Sequence, residues 1–261
     1  MPTNDMTILL GGDAGQGIDS TGRGLCQAFG RSGLNLFARQ DYRSQIRGGH
    51  NFHQIRVKED PVYTHRRPLD LIVALTSETI EKHAEKVVQG GGIIYDEQFE
   101  VSTEPWEDRG VMPLPVPLAN IAKEEGGAEV MANTASVGVV AQITGFGLKY
   151  VNKIIEENFK KKGQQIVANN KQVAKAGYEY AERNLPELDY ELIPPDNPGD
   201  LMVLDGNEAF VLGAIASGCN FNSAYPMTPS TSILEGLIEV SKEVGIVTKQ
   251  TESELAAINM A

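Results

Sequence analysis

The sequence predicts an α/β protein: first a mostly parallel sheet with helices on its faces, then the start of a second α/β domain. Three observations carry that reading. Short apolar runs of strand length, as at 6–10, 69–75 and 92–96, alternate with stretches of helical periodicity, a pattern that favours parallel sheets covered by helices. Pro186, Pro194, Pro195 and Pro198 then crowd a stretch where neither a helix nor a central strand tolerates them. Beyond that break the alternation resumes and continues to Ala261.

Residues 6–10 form an apolar run that ends in Gly11 and Gly12, as a buried strand does. From 15 to 31 the pattern is helical, with Leu25, Ala28 and Phe29 on one face and Gly33 as a stop. Residues 34–38 and 51–57 read as strands, and 69–75 as a fully buried one. A helix follows from Ser77, a candidate N-cap, to about residue 89, and 92–96 is extended again. Residues 111–117 read as a strand. A helix is expected over 133–144, with a strand as the alternative because Val137, Val139 and Val140 are β-branched. Polar helices near 149–162 and 164–183 complete the first domain, placed at 1–184, followed by a linker at 185–202 and a second domain at 203–261. In the second domain, 207–217 reads as a helix ended by Gly218, and 221–225 as a strand. Thr228 is the expected N-cap of a helix with Pro229 in first position, running to about 244. Gly245 closes it, 246–248 is extended, and Glu252 is expected to open a helix with no stop before Ala261, so the chain reads as truncated there.

Composition narrows the function classes. A chain of 261 residues with 41% hydrophobic and 22% charged residues can bury one large core or two modest ones. No run approaches the roughly 18–20 apolar residues that span a bilayer, and the polar N-terminus lacks a signal peptide's basic region, so the cytoplasm is expected. The formal charge of −12 argues against nucleic-acid binding, which needs a basic face. Cys26 and Cys219, the only cysteines, are too few for an iron–sulfur cluster and indicate a reducing compartment. His50, His53, His65 and His83 show no metal-ligand spacing, and no metal site is expected on this chain.

Two loops carry candidate chemistry in the first domain. Gly11-Gly12-Asp13-Ala14-Gly15-Gln16-Gly17 sits between a strand and a helix, where backbone N–H groups can cradle phosphate. A dinucleotide fingerprint would need glycine at position 14, so Ala14 disfavours a dehydrogenase. A tight turn in a Rossmann-like scaffold, built on Gly12, Gly15, Gln16 and Gly17, is the favoured reading. In Ser44-Gln45-Ile46-Arg47-Gly48-Gly49-His50, the paired glycines permit close approach of another backbone. Arg47 either binds an anion with its planar fork or makes a structural ion pair or subunit contact.

The strongest motif lies in the second domain. Tyr225-Pro226-Met227-Thr228-Pro229-Ser230-Thr231 stands between Gly206-Asn207-Glu208-Ala209 upstream and Gln250-Thr251-Glu252 downstream. This set closely resembles the start of the thiamine-pyrimidine domain of 2-oxoacid:ferredoxin oxidoreductases. The glycine loop and the Ile46-Arg47-Gly48-Gly49 segment resemble the gamma domain of the same enzymes, in the order of a fused gamma–alpha subunit. Ala14 departs from the family's loop, and Met227 replaces a common isoleucine with little change in volume.

The resemblance implies roles for particular residues. Glu252, with Glu254 as the adjacent alternative, would bond the aminopyrimidine ring of thiamine diphosphate and favour the tautomer that deprotonates C2. Thr228 would hydrogen-bond the 2-oxoacid, its other reading being helix capping alone. Tyr225 and Pro226 would shape the cofactor turn, and Arg47, Gly48 and Gly49 would help enclose coenzyme A or meet another subunit. No Gly-Asp-Gly motif followed by asparagine and no C-x-x-C occurs. The resemblance therefore places Mg²⁺, the diphosphate site and a [4Fe–4S] cluster on a beta subunit, with ferredoxin as electron acceptor and a dimer of heterodimers as the assembly. The implied reaction is oxidative decarboxylation of a 2-oxoacid, 2-oxoglutarate first among candidates, to its acyl-CoA, or the reverse. The polypeptide alone would then be colourless and inactive. The rival reading is a non-catalytic gamma-type assembly module with a partial alpha extension.

Overall fold

The computed structural model describes residues 4–41, 49–199 and 201–261, which divide into two units, Met1–Met202 and Val203–Ala261. The first unit runs β1 (Asp5–Asp13), α1 (Ile18–Arg31), β2 (Asn35–Asp41), β3 (His50–Lys58), β4 (Leu69–Ala74), α2 (Ser77–His83), β5 (Val87–Asp96), α3 (Glu104–Glu107), β6 (Met112–Val116), α4 (Leu118–Gly126), α5 (Ala132–Ile143), α6 (Leu148–Phe159) and α7 (Gln164–Asn184). Its strands lie in the order β2-β3-β1-β4-β5-β6. β1, β4, β5 and β6 are parallel, whereas β3 runs antiparallel to both β1 and β2. The sheet is mostly parallel, as the alternation of elements predicts, with one reversed strand. β4 is buried at every position, which explains its uninterrupted apolar run. Because β2 and β4 lie on opposite sides of β1, the carboxyl ends of β1 and β4 flank a topological switch point.

Several local expectations are corrected. The helix from Ser77 ends at His83, a 3-10 turn occupies Ala84–Lys86, and the chain is already extended from Val87, which pairs with Leu69. Gly90 with φ 80° and a register shift between Leu69 and Leu71 fit the extra residues into the strand. Thr76, with extended backbone, is the N-cap instead of Ser77. Helix α4 was not evident in the sequence; its start is held by the Asp96 carboxylate, which accepts from the Ala119 N–H at 2.7 Å. Residues 132–143 are helical despite their valines, because Ala135 and Gly138 lie on one face and let α7 approach closely. A Cβ on Gly138 would stand 1.8 Å from the Ala174 carbonyl oxygen, and one on Gly177 2.2 Å from that of Ala135.

The proline-rich stretch contains no helix and lies as a strap on the first unit. Leu192 is fully buried, and its N–H donates to the Thr144 carbonyl at 2.7 Å. Asn4 donates to the Ile193 carbonyl at 3.0 Å and accepts from the Ile193 N–H at 2.8 Å. Pro195 and Pro198 rest on Gly33, where no Cβ would fit.

The second unit comprises α8 (Gly206–Ala216), β7 (Phe221–Ala224), α9 (Thr231–Val244), β8 (Val247–Gln250) and α10 (Glu254–Met260). Asp205 and Glu208 form a reciprocal capping box at the start of α8, satisfying two otherwise orphaned N–H groups. β7 and β8 form a parallel pair joined by α9, and Val211, Leu237 and Ile246 make the core between them. From Ala209 to Ala216 helix α8 carries no polar side chain, yet only Val211 is buried, a composition suited to a helix surrounded by protein. Two expectations fail here. Helix α9 starts at Thr231 with Ser230 as N-cap, because the Met227 carbonyl accepts from the Ser230 and Thr231 N–H groups and turns the chain first. Glu252 does not open α10; Ser253 is its cap, accepting from the Ala256 N–H at 3.2 Å. No helix among the described residues is long and apolar enough to cross a membrane.

Candidate functional site

In the second unit, Ala224 pairs with Gln250 at the ends of β7 and β8, and the Thr251 N–H donates to the Ala224 carbonyl at 3.0 Å. Tyr225 and Thr251 therefore leave the ladder side by side. Tyr225, Pro226, Met227 and Thr228 emerge with Glu252 from one carboxyl edge, the edge at which open parallel sheets bind ligands. Thr251 is buried and its hydroxyl donates to the Ser253 carbonyl at 3.0 Å, which fixes the turn that carries Glu252. The Glu252 carboxylate is exposed and enters no hydrogen bond or ion pair among the described residues. On the other side, the Ser230 hydroxyl adds a third bond to the Met227 carbonyl, at 2.9 Å. Thr228 lies inside this closed turn, ahead of a cis Thr228–Pro229 peptide. Its hydroxyl takes no part in the turn and does not cap α9.

Asn207, to which the sequence assigned no role of its own, reaches the same turn. Its side-chain amide donates to the Pro229 carbonyl and to the Ser232 hydroxyl, both at 2.7 Å. A bond across 22 residues has no periodic signature; the only sequence signal is an amide side chain in the first turn of α8.

The glycine loop of the first unit is shorter than its motif. Gly11, Gly12 and Asp13 belong to β1, so the turn proper is Ala14-Gly15-Gln16-Gly17. Gly15 at φ 94° and Gly17 at φ 74° occupy a region that side chains avoid. Gln16 staples the turn: its side-chain Oε1 accepts from the Asp13 N–H at 2.8 Å and its side-chain Nε2 donates to the Leu75 carbonyl at 3.3 Å. Asn133 donates to the Gln16 backbone carbonyl at 3.0 Å. These internal bonds support the tight-turn reading. A cleft of about 220 Å³ opens at the switch point between Gln16, Leu75, Asp96, Phe99, Ala119 and Asn133. Gly49 has φ 107° just before β3; Arg47 and Gly48 lie outside the described residues.

Buried histidines stand beside this loop. His50 and His83 bring their Nε2 atoms to 2.8 Å, and the Lys86 ammonium lies 2.7 Å from His83 Nδ1. Lys86 only donates, so His83 accepts at Nδ1 and donates from Nε2 to His50. Burial, reinforced by the charges of Lys86, His50, Lys82 and Arg39, holds the His83 pKa down to about 3. Unfolded, His83 would take its proton near pH 6.5. Its contribution to stability is thus present above about pH 6.5 and lost as pH falls toward 3. His83→Gln, which keeps a donor and an acceptor but does not titrate, is expected to shrink the drop in urea midpoint between pH 7 and pH 5. An unchanged drop would place the acid sensitivity elsewhere. Cys26 lies 3.8 Å from His53 Nε2, but burial pushes its thiol up to about 12 and lowers the His53 pKa, so this pair stays neutral and is no thiolate site. Among the described residues no three histidine, cysteine or carboxylate side chains gather as metal ligands.

Comparison with known proteins follows this division. The family model Pyruvate ferredoxin/flavodoxin oxidoreductase matches residues 7–180, and Pyruvate flavodoxin/ferredoxin oxidoreductase, thiamine diphosphate-binding, matches residues 212–261. The alpha subunit of 2-oxoacid:ferredoxin oxidoreductase 2 from Aeropyrum pernix is 24% identical over 98% of this chain and 48% of its own length. The 2-oxoglutarate synthase subunit KorA from Archaeoglobus fulgidus is 45% identical over 60 residues, 23% of this chain and 17% of its own. A structure of 2-oxoglutarate:ferredoxin oxidoreductase from Magnetococcus marinus, with 2-oxoglutarate, coenzyme A and succinyl-CoA bound, superposes with a TM-score of 0.88 at 27% identity, covering 98% of this chain and 45% of that one. The chain spans about half the length of the curated relatives it matches in full. With one model covering more than half of the chain and a second covering most of its second unit, the chain belongs to the pyruvate ferredoxin/flavodoxin oxidoreductase family.

Proposed function

We propose that this chain is the gamma–alpha subunit of a thiamine diphosphate-dependent 2-oxoacid:ferredoxin oxidoreductase and carries the pyrimidine side of its active site. The observation behind this reading is the shared edge of β7 and β8, where a carboxylate without a partner among the described residues and a hydroxyl not used for capping follow the ends of adjacent strands. An acceptor on one strand end and a small hydroxyl on the next fit an aminopyrimidine ring with a 2-oxoacid beside it. Glu252 would accept a hydrogen bond from the ring and, being anionic, favour the tautomer whose imino nitrogen removes the C2 proton. Thr228 would donate to the substrate's carboxylate or ketone oxygen, while Tyr225 and Pro226 shape the wall. Bound here, the cofactor supplies the carbon nucleophile and the electron sink for loss of CO₂.

The remaining parts of the site belong to partners in this reading. A beta subunit would hold Mg²⁺, the diphosphate and a [4Fe–4S] cluster, and ferredoxin would take the two electrons. Coenzyme A would receive the acyl group in a dimer of heterodimers, with Arg47, Gly48 and Gly49 near it or at a subunit contact. The gamma domain would occupy 1–184 and the strap 185–202 would lead to the alpha part at 203–261. The substrate named for the KorA relative and bound in the Magnetococcus structure favours 2-oxoglutarate. The test is dye reduction by the enzyme assembled with its beta subunit, with coenzyme A and either 2-oxoglutarate, pyruvate or a branched-chain oxoacid. Thr228→Val should raise the oxoacid KM roughly tenfold, the effect of one lost hydrogen bond, with cofactor affinity preserved. Absence of thiamine-dependent turnover with every oxoacid would remove the reading; faster turnover of another oxoacid would change only the substrate.

A further inference from the structure

We infer that Asn207 is a positioning residue for the active site proposed above: it sets the turn that carries Thr228 and thereby the handling of the oxoacid. The inference rests on that reading of Thr228. Asn207 occupies the first turn of α8, which the Asp205–Glu208 capping box holds in place from both sides. From this anchored helix its amide bonds the Pro229 carbonyl and the Ser232 hydroxyl, each at 2.7 Å. Both amide hydrogens are thus engaged, one on the Pro229 carbonyl, one residue past Thr228, and one on Ser232 at the start of α9. The Met227 carbonyl, bonded by the Ser230 and Thr231 N–H groups and the Ser230 hydroxyl, pins the near side of the same turn. Between these two pinned carbonyls lies Thr228, whose own hydroxyl contributes nothing to the turn. The residue proposed to meet substrate is therefore located wholly by its neighbours, and Asn207 is the side chain that does so from another helix.

The decisive variant is Asn207→Asp. It keeps the shape, and a carboxylate in the first turn of a helix is favourable, so folding of α8 is retained. It removes both amide donors and sets a negative charge against the Pro229 carbonyl, so the turn loses its anchor. In the assembled enzyme, Asn207→Asp is expected to raise the oxoacid KM roughly tenfold, as Thr228→Val does, while exchange of the cofactor C2 proton stays at the wild-type rate. Ser232→Ala, which leaves the bond to Pro229 in place, should be near wild type. The double variant Asn207→Asp, Thr228→Val should be little worse than Thr228→Val alone, because both act through one hydroxyl. Multiplicative effects in the double variant, or an unchanged KM in Asn207→Asp, would overturn the inference. If Thr228→Val itself leaves KM unchanged, the substrate reading of Thr228 has failed instead, and the two failures are distinguishable. A fall in C2 exchange with Asn207→Asp would show general damage to the site and would also overturn it.

Discussion

The substitution Glu252→Gln is expected to slow exchange of the thiamine C2 proton by on the order of 10²–10³ in the assembled enzyme, the cost of losing one preorganised electrostatic group. Folding and assembly should survive, because the Glu252 carboxylate is exposed and bonds nothing among the described residues, and glutamine has the same shape. The amide can still meet the ring but carries no charge to hold the reactive tautomer. Substrate-dependent dye reduction should fall in parallel with exchange. Glu254 provides the contrast: it lies in the first turn of α10, one residue past the Ser253 cap, where a carboxylate merely suits the helix dipole. Glu254→Gln should leave exchange near wild type. The opposite pattern would identify Glu254 as the functional group, and normal exchange in both variants would end the pyrimidine-site reading.

The largest stability effect is expected at the crossing of α5 and α7. A methyl group on Gly138 would stand 1.8 Å from the Ala174 carbonyl, so Gly138→Ala must push two helices apart. Overpacking of this kind costs about 3 kcal/mol, read as a lower urea midpoint of the whole chain. Gly24 in α1 is the internal control, since its added Cβ would meet Ile154 at an ordinary 3.7 Å. There, Gly24→Ala should stabilise by about 0.5–1 kcal/mol through helix propensity. Equal effects of both substitutions would mean that α5 and α7 do not cross through Gly138.

Legibility in the sequence depended on how local the governing interaction is. The buried strand β4 and the helix–strand–helix–strand run after Asp205 follow from periodicity and stop residues within a few positions, and the fold class was plain from them. Helix ends were read less well. Thr228 looked like a cap because Pro229 follows it, but the three bonds on the Met227 carbonyl delay the helix to Thr231. Ser77 lost to Thr76, and α4 is started by a carboxylate from β5, three elements earlier. Gly12 looked like loop because glycine is rare in strands, yet it pairs with Asn51 in the β1–β3 ladder, at a place where a Cβ would meet Gln16 and Ile18. The residues of the candidate site were legible as a motif, while Asn207's grip on the turn was not, because nothing in its own neighbourhood records the partner.

The parallel pairing of β7 with β8 has a consequence for how such sites vary between species. The spacing of Thr228 and Glu252 in space is set by one backbone ladder, ending at Ala224 and Gln250, and not by the length of chain between them. That intervening chain is the crossover helix α9, whose far end can lengthen by whole turns without moving either strand. A slip of one residue in the ladder, by contrast, would send every side chain of β8 to the opposite face. Relatives should therefore differ freely in the number of residues between the two motifs, and searches that impose a fixed interval would overlook enzymes in which the site itself is unchanged.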